Sequence, residues 1–240
     1  MVVGYALVGI VLAGLFARLT RGIEIEPRRI ARPASRFGLT KSQSIVARLS
    51  AVFALDAFGG ALVVQSFVAY WFTVRYGVEP VLLGSIFFGA NALAGFSALL
   101  ASRIAARIGL INTMVFTHVP SNILLILVPL MPNLPLAIAC LLARFSLSQM
   151  DIPTRQSYTM AIVSPDERSA AAGITGIARS AGSALAPIFS GVLLGAGGVW
   201  LSAPFILAGS LKLVYDYVLY RSFIEVKPPE ELRSGGYKRT

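Results

Sequence analysis

Six polar side chains interrupt stretches of this 240-residue sequence that are otherwise apolar: Asp56, Asn91, Asn122, Arg144, Arg179 and Lys212. Their types suggest definite chemistry. Asp56 is the only acid the reading places at mid-depth; burial disfavours its charged form unless a cation lies close, so it is the candidate for taking up and releasing a proton. Arg144, Arg179 and Lys212 offer positive charge to that carboxylate or to an anionic ligand. Asn91 and Asn122 offer paired donors and acceptors. A charge at the centre of a bilayer costs at least about 2.5–3.5 kcal/mol on the insertion scale, so the four ionisable residues are expected to face one another or a wet cavity. Static buried salt bridges and interhelical hydrogen bonding by the two asparagines are the structural alternatives.

A second constellation lies in ARFSLSQMDIPTRQSYTMAIVSPDERSAAAG, from Ala143 to Gly173. Asp151 and Arg155 are four apart on one helix face. Asp166, Glu167 and Arg168 follow, and the basic stretch ALLASRIAARIG contributes Arg103 and Arg107. Together these seven residues are expected at one membrane surface, either as a charge network that closes a gate or as solvated loop charges. The segment GITGIARSAGSALAPIFSG carries Gly176, Gly182 and Pro187. Small residues let helix backbones approach, and proline removes a hydrogen bond, so this run is expected either to pack tightly or to bend at those positions.

The elements that must position these residues are apolar runs. Of the chain, 56% is hydrophobic and 13% charged, against about 25% charged in a soluble domain. Spanning a bilayer takes about 20 residues, and seven runs qualify: 2–19, 45–74, 81–101, 110–131, 134–161, 168–196 and 199–222. The six mid-run residues lie roughly ten to thirteen positions into their helices, or roughly 15–20 Å along the axis, near the middle of the hydrocarbon core. The expected fold is an all-α polytopic membrane protein, divided as a helix at 1–19, a basic linker at 20–44, a six-helix bundle at 45–222 and a polar tail at 223–240.

The formal charge of +10 reflects the sorting of basic residues between connections. The connections at 20–44, 102–109 and 155–168, with the tail and their flanks, carry 17 Lys and Arg; the alternate turns YGVEP, MPNLP and GAGG, with their flanks, carry only Arg75. By the positive-inside rule the linker and C-terminus face the cytoplasm, the short turns and the N-terminus the outside, in a cell membrane. No basic patch is interleaved with aromatic residues, so nucleic acid is not an expected partner. A single histidine, His118, and a single cysteine, Cys140, exclude a zinc cluster and an internal disulfide. No cofactor is expected: no GxxxxGK[ST] phosphate loop and no HExxH is present, and an intramembrane enzyme is the weaker of the alternative readings.

The ordered motifs resemble the second half of a major facilitator superfamily transporter. Arg144, Gln149, Met150, Asp151, Pro153, Arg155 and Gln156 spell RxxxxQMDxPxRQ; Pro165, Glu167, Arg168 and Ala170–Gly173 follow, then Arg179, Gly182, Pro187 and Gly191. These are similar to the fourth and fifth helices of that superfamily's six-helix repeat. The stretch ALLASRIAARIG is similar to its loop between the second and third helices, except that Ser102 stands at the acidic position and Ala105 at the glycine position. The resemblance runs in order from Ile45 to Ser222, with the first helix and linker matching the junction between halves. It implies a bundle of two inverted three-helix units, a small-molecule substrate, proton coupling, efflux by alternating access, and a role for Arg144 in substrate or proton handling. It also implies a partner, either an N-terminal six-helix half or a second copy of the chain. A non-transporting scaffold or an inactive remnant is the alternative, the abrupt start at Met1 favouring the remnant.

Overall fold

The computed structural model describes residues 2–18, 38–226 and 228. All regular elements among them are helical. The basic linker and the polar tail expected from the sequence lie largely outside the described residues. The chain divides into two compact units, Met1–Ala34 and Ser35–Thr240. The first contains α1, Val2–Ala17. At 16 residues it is about 24 Å long, somewhat short of the hydrocarbon core.

The second unit is built from α2 (Gln43–Ala61), α3 (Gln65–Tyr76), α4 (Pro80–Ile108), α5 (Leu110–Leu127), α6 (Leu134–Ser148), α7 (Asp151–Ile162), α8 (Arg168–Ala196) and α9 (Ala203–Phe223). Short 3-10 turns at Val128–Leu130, Pro165–Glu167 and Gly198–Ser202 extend α5 and precede α8 and α9. Among the described residues these make six spans long and apolar enough to cross a membrane, the first and fourth each consisting of two helices in line. Among the described residues the chain is therefore all-helical, with the several apolar spans of a polytopic membrane protein.

Local chemistry sets the turns. Gly77 ends α3 with φ +66, a conformation that costs other residues strain, and Pro80 opens α4 where its missing N–H is harmless. Asn133 accepts a hydrogen bond from the Leu136 amide at 3.0 Å and so caps α6. Gly109, at φ +89, joins α4 to α5 without an intervening loop.

Two large apolar cores, with a smaller cluster of Leu39, Val46, Val163 and Ala171, hold the bundle. One gathers Phe67, Trp71 and Phe72 of α3, Leu125 of α5, Leu141 of α6 and Phe205 of α9. Its centre is an edge-on aromatic stack, with Trp71 5.1 Å from Phe205 and 5.2 Å from Phe72. The other gathers Leu49 and Phe53 of α2, Met114 of α5, Tyr158 of α7, and Tyr215 and Leu219 of α9. On α2 and α5, residues 56, 118 and 122 fall between the segments that feed the two cores. The outer faces remain apolar, with Phe88 78% and Val192 70% exposed, as lipid contact requires.

Candidate functional site

Asp56 sits on α2 one turn after Phe53, 4% exposed. Its Oδ1 receives the Lys212 Nζ of α9. Its Oδ2 receives Arg155 NH1 of α7 at 3.0 Å and Arg179 NH1 of α8 at 3.3 Å. His118 Nε2 of α5 stands 3.9 Å from Oδ1. Three cations from three helices thus converge on one carboxylate, the arrangement a buried charge needs to be tolerated. The sequence prepares the approach of Lys212. Gly59 and Gly60 follow Asp56 by one turn, and a Cβ on Gly59 would stand 3.2 Å from Lys212 Cγ, one on Gly60 3.4 Å from Lys212 Cε. Two glycines clear the path for the lysine stem.

The network extends in both directions. Arg155 NH1 also meets Asp151 Oδ2 at 2.8 Å, the guanidinium lies 5.4 Å from the Phe53 ring centre, and Tyr215 donates its hydroxyl to Asp151 at 3.5 Å. On the other side His118 Nδ1 meets Asp216 Oδ1 at 2.7 Å, and Asn122 Nδ2 donates to Asp216 Oδ2 at 2.9 Å. Asp216 is 1% exposed. Asp56 is therefore not the sole acid within the spans. Asp216 and His118 were missed as site residues, although each left an i, i+4 signal: Lys212 with Asp216 on α9, and His118 with Asn122 on α5.

The structure joins the two groups that the sequence kept apart. Asp56, Asn122, Arg179 and Lys212, read as mid-membrane, share one network with Asp151 and Arg155, read as surface residues. The helix is interrupted at Gln149–Met150 between α6 and α7, and Arg155 reaches Asp56 from α7 through its side chain. Arg144 is half-buried on α6; its Nε has no hydrogen-bond partner, its guanidinium lies 5.2 Å from the Phe145 ring, and no ion pair reaches it among the described residues. Asn91 is exposed on α4.

The remaining expected gate residues do not assemble. Arg103, Arg107, Asp166 and Arg168 are exposed, with no ion pair among them in the described residues. Glu167 is buried and serves the start of α2. It accepts from Thr40 Oγ1 at 2.7 Å, from the Lys41 and Ser42 amides at 2.8 and 2.9 Å, and from the Thr40 amide. A carboxylate at the unsatisfied, positive end of a helix is favourably placed. α8 runs as one helix through Gly176, Gly182 and Pro187; the interruptions fall at 62–64 and at Gln149–Met150 instead. Gly182 is a contact point, since a Cβ there would run into the Ala54 carbonyl of α2.

Beside the network a cavity of about 470 Å³ opens between α2, α7 and α8. Arg155 and Arg179 form its charged wall, Gln156, Thr159 and Thr175 its polar groups, and Phe53 its apolar floor. Gly176 also lines it.

No family model matches this sequence, and no solved structure matches it. The chain is 28% identical over 184 residues to the uncharacterized membrane protein YJR124C of Saccharomyces cerevisiae, the match covering 76% of this chain and 41% of that protein. The chain spans about two fifths of the length of the curated relative it matches, and that relative, like the apolar spans here, belongs to a membrane.

Proposed function

We propose that the chain forms the second half of a secondary transporter of the major facilitator type, carrying a small solute by alternating access with proton coupling. In this reading it is a carrier and not an enzyme. Its last six spans form two inverted three-helix units, and α1 is the final helix of the preceding half. The linker and C-terminus face the cytoplasm and the N-terminus the outside of a cell membrane. The observation that carries the reading is the convergence of Lys212, Arg155 and Arg179 on Asp56. Intramembrane ionisable residues are expensive and mark ion or substrate pathways, and this set links four separate helices through one carboxylate. Three cations favour the charged form of Asp56, so a proton reaches it only as α7, α8 or α9 shifts relative to α2 and draws its cation away, which couples proton uptake to that movement. Exposed Asn91 on α4 belongs, in this reading, to the wall that faces an N-terminal six-helix half or a second copy of the chain.

The test is flux. Vesicles bearing the whole transporter, the chain together with an N-terminal half or as its own dimer, and an internal pH dye are given a pH gradient and a panel of small organic anions and cations. Solute-dependent proton movement is expected with the unaltered protein, falling to the leak of protein-free vesicles with Asp56→Asn. Coupled flux that persists in that variant removes Asp56 from the coupling role. Solute movement without proton movement removes the coupling itself.

A further inference from the structure

We infer that the cavity between α2, α7 and α8 is a binding site for a small organic monoanion, a carboxylate or sulfonate with an apolar body, whose charged head is held by Arg179. The inference deepens the proposed transport function by naming the substrate class.

Two features of this cavity favour that ligand. First, Arg179 is only partly used. It reaches Asp56 through NH1 at 3.3 Å while its side chain keeps 34% of its surface open, and it lines the cavity. A guanidinium presents five donors in a planar fork suited to the two oxygens of an oxyanion, so most of its donors remain for a ligand. Second, the lining has the composition of a small-molecule site: Gln156 for orientation, the Thr159 and Thr175 hydroxyl oxygens as acceptors while they donate to their own helix carbonyls, and Phe53 and Met160 for an apolar body. Its volume of about 470 Å³ falls within the range of pockets that enclose small ligands.

The anion shares Arg179 with Asp56. Occupancy therefore draws the guanidinium toward the ligand and loosens one of the three cationic contacts on Asp56. This ties the ligand directly to the carboxylate proposed to carry the proton.

The experiment uses the purified full chain in detergent micelles, with benzoate and benzenesulfonate as probes against benzamide and benzylammonium as neutral and cationic counterparts. Thermal unfolding and calorimetry are expected to show saturable binding of the two anions and none of the counterparts. Arg179→Gln is expected to weaken anion binding about tenfold or more, the loss of one charge-assisted contact, with Arg179→Lys intermediate. Because Arg179 also touches Asp56, a second variant leaves the network intact. A Cβ on Gly176 meets nothing within 4 Å and Gly176 lines the cavity, so Gly176→Leu narrows the cavity from a position where the first side-chain atom has room, and is expected to weaken anion binding strongly while the protein stays folded. Benzamide or benzylammonium binding as well as benzoate overturns the inference. So does the absence of any anion binding, or undiminished binding in Gly176→Leu. Binding in micelles needs no gradient, so the two readings fail separately. Anion binding without coupled flux overturns transport and leaves the site standing; coupled flux of a cation without anion binding does the reverse.

Discussion

Lys212 and Asp56 illustrate how far one buried pair depends on its neighbours. The lysine is 7% and the aspartate 4% exposed, so neither charge has water to fall back on. Removing Asp56 leaves Lys212 unmatched, at a cost of about 3–5 kcal/mol, whereas replacing both by uncharged groups of similar volume is far less harmful. Asp56→Asn is thus expected to lower the unfolding temperature sharply, and the double variant Lys212→Met, Asp56→Asn to recover part of the loss. Arg155 and Arg179 keep that recovery incomplete, because they lose the same carboxylate. Thermal unfolding in micelles measures both variants; a double variant less stable than Asp56→Asn alone shows that the pair does not act as a unit. His118 and Asn122 stand in the same relation to Asp216, with bonds of 2.7 and 2.9 Å.

Helices α2 and α8 make the most extensive contact in the bundle, and small residues set how closely they approach. Gly182 meets the Ala54 backbone carbonyl, which has no rotamer to escape into, while Gly176 on the same helix faces open space. Gly182→Ala is expected to cost about 1–3 kcal/mol through overpacking. Gly176→Ala is expected to be neutral or stabilising by about 0.4–1 kcal/mol, because alanine restricts the unfolded chain without strain in a helix. Thermal unfolding of the two variants side by side checks this; equal costs show that the approach at Ala54 is not what makes the α2–α8 contact selective. The same pair of helices is tied at one end by Glu167, which accepts from Thr40, Lys41 and Ser42 just before α2 begins.

Connections rich in Lys and Arg alternate with connections nearly free of them, and the proposed orientation follows from that asymmetry. Cys140 is the only cysteine in the chain, and it is buried, so a cysteine introduced at a surface position reports alone. Arg107 lies in the last turn of α4, and Glu79 immediately precedes it; both are exposed. An impermeant maleimide is expected to label Glu79→Cys in intact cells and Arg107→Cys only after the membrane is opened. The reverse pattern inverts the orientation, and labelling of both from outside shows that Pro80–Ile108 does not cross the membrane.

Much of this was legible in the residues. Apolar runs of spanning length place the six long helices to within a few positions at most ends, because lipid leaves the backbone no alternative to hydrogen-bonding within each helix. The charges that must find partners were equally visible, since Asp56, Arg179 and Lys212 interrupt runs that tolerate little polarity. What the runs do not carry is rotation about the helix axis and the offset between helices. Those depend on packing: on Gly59 and Gly60 yielding to the lysine stem, on Gly182 meeting Ala54, and on α7 restarting at Asp151. Only the tertiary structure decided, therefore, that Arg155 and Asp151 join the central network while Arg103 and Arg107 stay apart. It alone also decided that Glu167 serves α2, and that Asp216, spaced like a simple helical neighbour of Lys212, is a buried partner of His118.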